Sequence, residues 1–334
     1  MHMKTVKNYS MSILCVMLFV LCSCTKENQP PSGLDTVPES SIVCESKYIA
    51  YITEDSKVYI AYDDGSGEYI SGFDSIVQIS GGENELAALN SDGELMFFDV
   101  LNKCRLEYLP DWEEIVSDFE LGGNAVAHVY NLQKEMLELD AIDNIHMKYP
   151  EWYICNKKDG TTVINGVNWI KEDIDIIETW KDIVKYKAYN EGVIGLKNDG
   201  TIVAHTYTEE DFSEWKDIID IECGHFFFGL KSDGTVLTNG YEKECYVQDW
   251  KDIIQISAVP QTTVGLCKDN TVELAYHLDY GQSEASLWKD IIFVEAAYDY
   301  VLGVKSDKTI IVTSTEDKKF DFTDAPKPYL INNF

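Results

Sequence analysis

Positive charge is scarce in this sequence. Lysine and arginine total 27 against 58 aspartates and glutamates, for a formal net charge of −31. A surface of that sign repels nucleic acid and anionic lipid, which excludes a nucleic-acid-binding function on electrostatic grounds. It suits a cationic partner or plain solubility, and charge alone does not choose between them. A long hydrophobic run is also missing. The most apolar stretch, MSILCVMLFVL at 11–21, falls short of the ~20 residues a membrane-spanning helix needs. Phosphate-cradling glycine loops and the GxSxG of serine hydrolases are absent, and so are CxxC and HxxxH. His128, His146, His205, His225 and His277 lie in different parts of the chain without metal-ligand spacing. No metal, no cofactor and no catalytic residue is therefore expected.

Of nine cysteines, Cys15, Cys22 and Cys24 fall in the first 24 residues. The other six, Cys44, Cys104, Cys155, Cys223, Cys245 and Cys267, form no recognisable disulfide framework and read as small packing residues. The N-terminus has its own pattern: Lys4 and Lys7, no acid, the apolar run, then Ser23 before Cys24. Those are the proportions of a signal peptide. The end of it, LCSC, resembles the lipobox of bacterial lipoproteins, which implies cleavage before Cys24 and lipidation of that residue. The expectation is a signal peptide at 1–23 and a polar, Pro-containing tether at 24–40. The protein would then be exported and held on the outer face of a bacterial cell membrane through its anchor alone. Loss of Lys4 and Lys7 would take the charge from −31 to −31 − 2 = −33.

The dominant feature is repetition. WKDI recurs at 180, 215, 250 and 288, that is, at intervals of 35, 35 and 38 residues. Weaker copies begin at 41, 73, 112 and 142, giving eight units of about 37 residues. Within a unit, short β-branched and aromatic runs such as IIDIEC, FFFGLK and TVLTN are separated by turns, which predicts strands. The turns SDGE, KDGT, NDGT and SDGT place Asp-Gly between two apolar runs, a strong hairpin signal. Asp92, Asp159, Asp199, Asp233, Asp269 and Asp307 are accordingly read as turn residues. Asp182, Asp217, Asp252 and Asp290 should cap an entry turn, and Trp180, Trp215, Trp250 and Trp288 should fill the seam between units. A small-residue slot holds Cys44, Gly81, Ala188, Cys223, Ala258 or Ala296.

The units ISGGENELAALNSDGELMFF, YKAYNEGVIGLKNDGTIVAH and IECGHFFFGLKSDGTVLTNG resemble the repeat of the regulator of chromosome condensation family, in a compact bacterial form. The resemblance runs from about 41 to 315 and implies an all-β fold. That fold is a β-propeller of seven or eight four-stranded blades over 41–334. The C-terminal FDF or YLI would close the ring against the first strands. In repeat length the chain is also similar to the secreted propeller-type β-lactamase inhibitor protein, which works by protein–protein contact.

Residues that break the repeat are the functional candidates. The loops after the small slot carry Tyr189, Glu191, His225, Phe226, Tyr298, Asp299 and Tyr300, rings flanked by acids, as on a binding surface. Phe227 and Phe228 should point inward. The longer connections at 205–214 and 275–286, with Tyr207, Tyr276 and Tyr280, are expected on a competing face. The expected function is a non-catalytic, extracytoplasmic binding module for a protein partner or a cell-wall glycan, with a cationic partner suited to the charge. The alternative is a carbohydrate-active enzyme, a glycosidase or lyase with carboxylates at the channel mouth.

Overall fold

A computed structural model describes residues 41–82, 84–106, 142–148, 152–157, 161–166, 171–189, 192–206, 210–313 and 318–329. The expected signal peptide, Cys24, the tether, the repeat from 112, Asp159, Glu191 and Tyr207 lie outside the described residues.

Tight turns, Asp-Gly at 92–93, 199–200 and 233–234, produce hairpins, and among the described residues the hairpins form seven antiparallel sheets. Blade 1 comprises β1 (Ile42–Cys44), β2 (Tyr48–Ile52), β3 (Val58–Tyr62) and β4 (Gly67–Tyr69). Blade 2 has β5 (Ile76–Gly82), β6 (Glu85–Asn90), β7 (Leu95–Asp99) and β8 (Cys104–Leu106). Blade 3 has β9 (Ile142–Lys148), β10 (Trp152–Lys157) and β11 (Thr162–Gly166), and is followed by helix α1 (Lys171–Ile177). Blade 4 has β12 (Ile183–Tyr189), β13 (Gly192–Lys197) and β14 (Ile202–Thr206). Blade 5 has β15 (Ile218–Cys223), β16 (Phe227–Lys231) and β17 (Val236–Thr238). Blade 6 has β18 (Ile253–Val259), β19 (Thr262–Cys267) and β20 (Val272–Tyr276). Blade 7 has β21 (Ile291–Ala296), β22 (Val301–Lys305) and β23 (Ile310–Val312). Four strands per blade, the expected number, are present in blades 1 and 2; blades 3 to 7 show three among the described residues.

Each sheet buries its apolar face on its neighbour, since no single hairpin can cover its own. Blades 2 and 3 meet directly: Gln78 Nε2 donates to the Ile145 carbonyl (2.6 Å), and the Ile145 N–H donates to Gln78 Oε1 (3.2 Å). Ala87, Leu89 and Phe97 pack there on Ile142, Ile145 and Tyr153. At the closing seam, Ile42, Ile49 and Tyr51 of blade 1 share a cluster with Phe293, Tyr300 and Leu302 of blade 7. Seven described blades thus contact one another around a complete ring. Phe320 and Phe322 join that closing cluster, the Tyr51 hydroxyl donates to the Pro326 carbonyl (2.7 Å), and the Tyr329 N–H donates to the Ile52 carbonyl (2.8 Å). The C-terminal segment closes the ring as its sequence implied.

The repeated aspartates are architectural. Asp199 Oδ1 accepts from the Thr201 N–H and hydroxyl (3.0 and 2.6 Å), and Asp233 does the same with Thr235. Asp182, Asp217, Asp252 and Asp290 adopt positive φ (56 to 62°), a region that aspartate tolerates better than most side chains. Their carbonyls accept from the following turn; the Ser232 N–H, for example, donates to the Asp217 carbonyl (2.9 Å). The next blade is stitched on through the Ile253 N–H, which donates to the Gly234 carbonyl (3.1 Å). At Gly234 (φ +81°) a side chain would stand 2.9 Å from Asp252 Cα, so both conformation and space demand glycine. The tryptophans sit at the seams. Trp250 packs with Phe228, Leu230 and Val236 of blade 5 and with Ile253 of blade 6, its ring edge against the backbone of Gly265.

Candidate functional site

Strand number decides which loops share a face. A three-stranded meander ends at the same edge as its first loop, so the expected competition between two faces disappears at blade 6. There Tyr276 pairs across from Thr262, and the His277 N–H donates to the Gln261 carbonyl (2.9 Å). The connection leaving β20 begins beside the β18–β19 loop, and His277 joins the candidate face.

That face carries a continuous arc of rings and charges over blades 4 to 7. Gly224 lies so close to the Val259 carbonyl that any side chain would collide with it, which tips the β15–β16 loop toward blade 6. His225 then stands edge-on to Tyr189, with ring centroids 5.7 Å apart. Its Nδ1 lies 3.6 Å from Glu244 Oε1, while His277 Nδ1 lies 3.6 Å from Glu244 Oε2 and 3.9 Å from Glu242 Oε2. Glu244 sits in the short 3-10 turn Lys243–Cys245 and is only 2% exposed. Its Oε2 accepts no hydrogen bond. Phe226 packs edge-on to Tyr241 (5.2 Å), which is 77% exposed, and Tyr246 is exposed on the same segment. Gln261 Nε2 reaches the Tyr298 hydroxyl at 3.4 Å and extends the arc to blade 7.

Of the sequence candidates, Tyr189, His225, Phe226 and Tyr298 lie along this arc, and Tyr298 is half exposed. Asp299 is ion-paired, its Oδ2 3.1 Å from Lys318 Nζ. Tyr300 is a correction. It is 1% exposed and its hydroxyl donates to the Glu45 carbonyl (2.8 Å), which ties blade 7 to blade 1. Tyr48 occupies the same repeat slot and ties blade 1 to blade 2 through the Gly82 and Glu85 carbonyls (both 2.9 Å). Burial raises both phenols well above the ordinary tyrosine range, so they act as neutral donors. Phe227 and Phe228 point inward as expected.

Sequence reasoning missed His277, Glu242, Glu244 and Tyr241. They belong to inter-blade connections, where the repeat register stops, and only the odd strand count brings them beside the loops. Cys245 neighbours the arc, but burial pushes its thiol up to about 11 and it packs as a small hydrophobe. Cys44, Cys155, Cys223, Cys245 and Cys267 are free thiols.

Elsewhere the charged groups are occupied. On the inner strands Lys185 Nζ contacts Asp220 Oδ1 (2.6 Å) and Glu222 Oε1 (3.0 Å), and Lys187 Nζ contacts Glu222 Oε2 (2.8 Å). His205 Nε2 lies 2.7 Å from Asp173 Oδ1. Among the described residues no group of three or more His, Cys, Asp or Glu side chains is arranged to hold a metal ion. A cavity of 480 Å³ under the C-terminal segment, lined by Tyr51, Ile310, Phe320 and Phe322, belongs to the ring closure.

The seven described blades, built from short tandem repeats and stitched turn to strand, define a β-propeller. No protein-family model matches the chain, and no curated protein matches its sequence. The fold is nevertheless shared with solved propellers. The chain is similar to the structure of Kap60 bound to yeast RCC1 (Prp20), at 11% identity and a TM-score of 0.51, over 74% of this chain and 72% of that one. It is similar to the CRINKLY WD40 ectodomain of the Arabidopsis thaliana receptor kinase ACR4, at 12% identity and a TM-score of 0.52, over 88% and 99%. It is also similar to human WBSCR16, at 10% identity and a TM-score of 0.52, over 84% and 89%.

Proposed function

We propose that this protein is an exported, lipid-anchored propeller that binds a protein partner through the arc running from Tyr189 to Tyr298. The observation that carries the reading is that arc: half-exposed rings and histidines set around buried and exposed carboxylates, on one face of a rigid ring. Rings supply contact area at small entropic cost, and the negative charge favours a cationic partner. The RCC1 relative by fold was solved bound to Kap60, which illustrates protein binding by such a scaffold. A cell-wall glycan remains the second ligand class, since exposed tyrosines also stack on sugars. The channel-mouth glycosidase has less support, because Asp220 and Glu222 on the inner strands are held by Lys185 and Lys187.

Anchoring rests on the Lys4–Lys7 leader and on LCSC ending at Cys24. Cells grown with labelled palmitate should incorporate label into the wild type and none into Cys24→Ala; label on the variant would contradict the anchor. Binding is tested by affinity capture from envelope extract, with residues 41–334 as bait beside a Tyr189→Ala/Tyr298→Ala version. The reading expects a ligand held by the first and lost by the second at equal melting temperature. Equal retention by both would remove the arc from the interface.

A further inference from the structure

Glu244 is an expensive residue to bury in this way. A carboxylate removed from water needs hydrogen bonds or a counter-charge, and its cost is several kcal/mol without them. Here one oxygen accepts no hydrogen bond, and among the described residues the groups facing it at ion-pair range are two imidazoles, each 3.6 Å away. Those imidazoles are the lid over the carboxylate and are themselves 40% and 42% exposed. Glu242, 3.9 Å from His277, adds a second carboxylate at the rim. Tyr189 stands edge-on to His225, and Phe226 packs on Tyr241 and, with Cys245, closes on Gly240. A desolvated carboxylate bordered by aromatic rings is the environment that accepts a guanidinium, through paired hydrogen bonds and stacking.

We propose that Glu244 anchors an arginine side chain of the protein partner, and that His225 and His277 compete with that arginine when they are protonated. The proposal rests on the binding reading of the same face and adds the partner's chemistry and its control by pH. A neutral imidazole can be turned aside by the incoming guanidinium, which supplies the missing counter-charge. A protonated imidazole is instead an imidazolium ion already seated on a carboxylate oxygen, and the arginine has no vacancy to fill. Of the titratable groups on the packed elements, Cys245 on the turn is pushed up to about 11 and burial raises Cys267 on β19, while Glu273 on β20 is exposed and Lys243 shares the turn with Glu244.

The test uses the full chain in detergent and a labelled hexa-arginine peptide, with its neutral citrulline analogue as control, at ionic strength high enough to screen general attraction. Anisotropy should show binding of the arginine peptide alone, weakened about tenfold or more by Glu244→Gln. Lowering the pH from about 7.5 to about 5.5 should weaken wild-type binding to a similar extent. The same shift should leave His225→Ala/His277→Ala unchanged, a variant that retains Glu244 and so guards against misfolding of Glu244→Gln. Unaltered affinity in Glu244→Gln at wild-type melting temperature would overturn the proposal. So would a pH effect abolished by EDTA, which would reveal a metal on the histidines. If Tyr189→Ala/Tyr298→Ala loses the envelope ligand while Glu244→Gln keeps it, the face stands and the arginine anchor falls. If the aromatic variant also keeps it, the face itself falls.

Discussion

At the scale of single residues, the aspartates divide into those that make the ring and those that sit on it. The turn aspartates Asp199, Asp233, Asp269 and Asp307 have carboxyls held below the usual range by the threonine two residues on, whose hydroxyl and N–H donate to the ionised form. A folded-state pKa below the unfolded value of about 3.9 means that this stability is complete above about pH 4. It is lost as pH falls through the folded pKa. Urea midpoints should therefore decline on the acid side, and Asp199→Asn/Asp233→Asn/Asp269→Asn should flatten that decline; an unchanged acid limb would contradict the turn assignment. Positive φ supplies a second residue-scale test. Lys308 occupies a slot where other blades place glycine, at φ 69°. Lys308→Gly should stabilise by about 1 kcal/mol, since the exposed pair with Glu54 offers little in return. Gly234→Ala should destabilise by about 2 kcal/mol, because a methyl would press on Asp252 Cα in a conformation alanine avoids. Thermal melts of the two variants should move in opposite directions.

At the scale of elements, the repeat made the fold legible and hid the site. WKDI, the small-residue slot and Asp-Gly recur because each blade must meet the next in the same way, so spacing alone exposed the strands, turns and seams. Trp250 shows how firmly the seam is built: it touches both blades and rests on Gly265. Trp250→Ala should cost about 3–5 kcal/mol by cavity formation, measured by denaturant unfolding. Tyr300, by contrast, looked individual only because Tyr48, its partner in the repeat slot, lies some 250 residues away in the chain. Tyr300→Phe should cost about 1 kcal/mol for the lost bond to Glu45 and leave ligand binding intact. The histidine–glutamate group was illegible for a different reason. Glu244 and His277 sit in connections that follow no register, and nothing in their spacing says that a three-stranded blade returns its chain to the loop edge.

At the scale of the whole molecule, the ring is closed by packing, with Cys44 at the closing seam a free thiol, and the C-terminal segment lies over that seam. Its Phe320 packs on Tyr300 and its Phe322 on Tyr51, so a chain ending at residue 313 should lose stability by several kcal/mol and melt from the closing seam. A rigid ring separates two edges: in blades 3 to 7 the loop after the first strand and the end of the third strand lie on one, and the tight turns on the other. The turns are consumed by stitching blade to blade, which leaves the loop edge for a partner. Hydrogen-exchange or radical footprinting of the captured complex tests this most directly. The account predicts protection at Tyr189, His225–Phe226, Tyr241–Tyr246, His277 and Tyr298, with the turns at Asp199, Asp233 and Asp269 unchanged. Protection concentrated on those turns, with the arc still open to solvent, would contradict it.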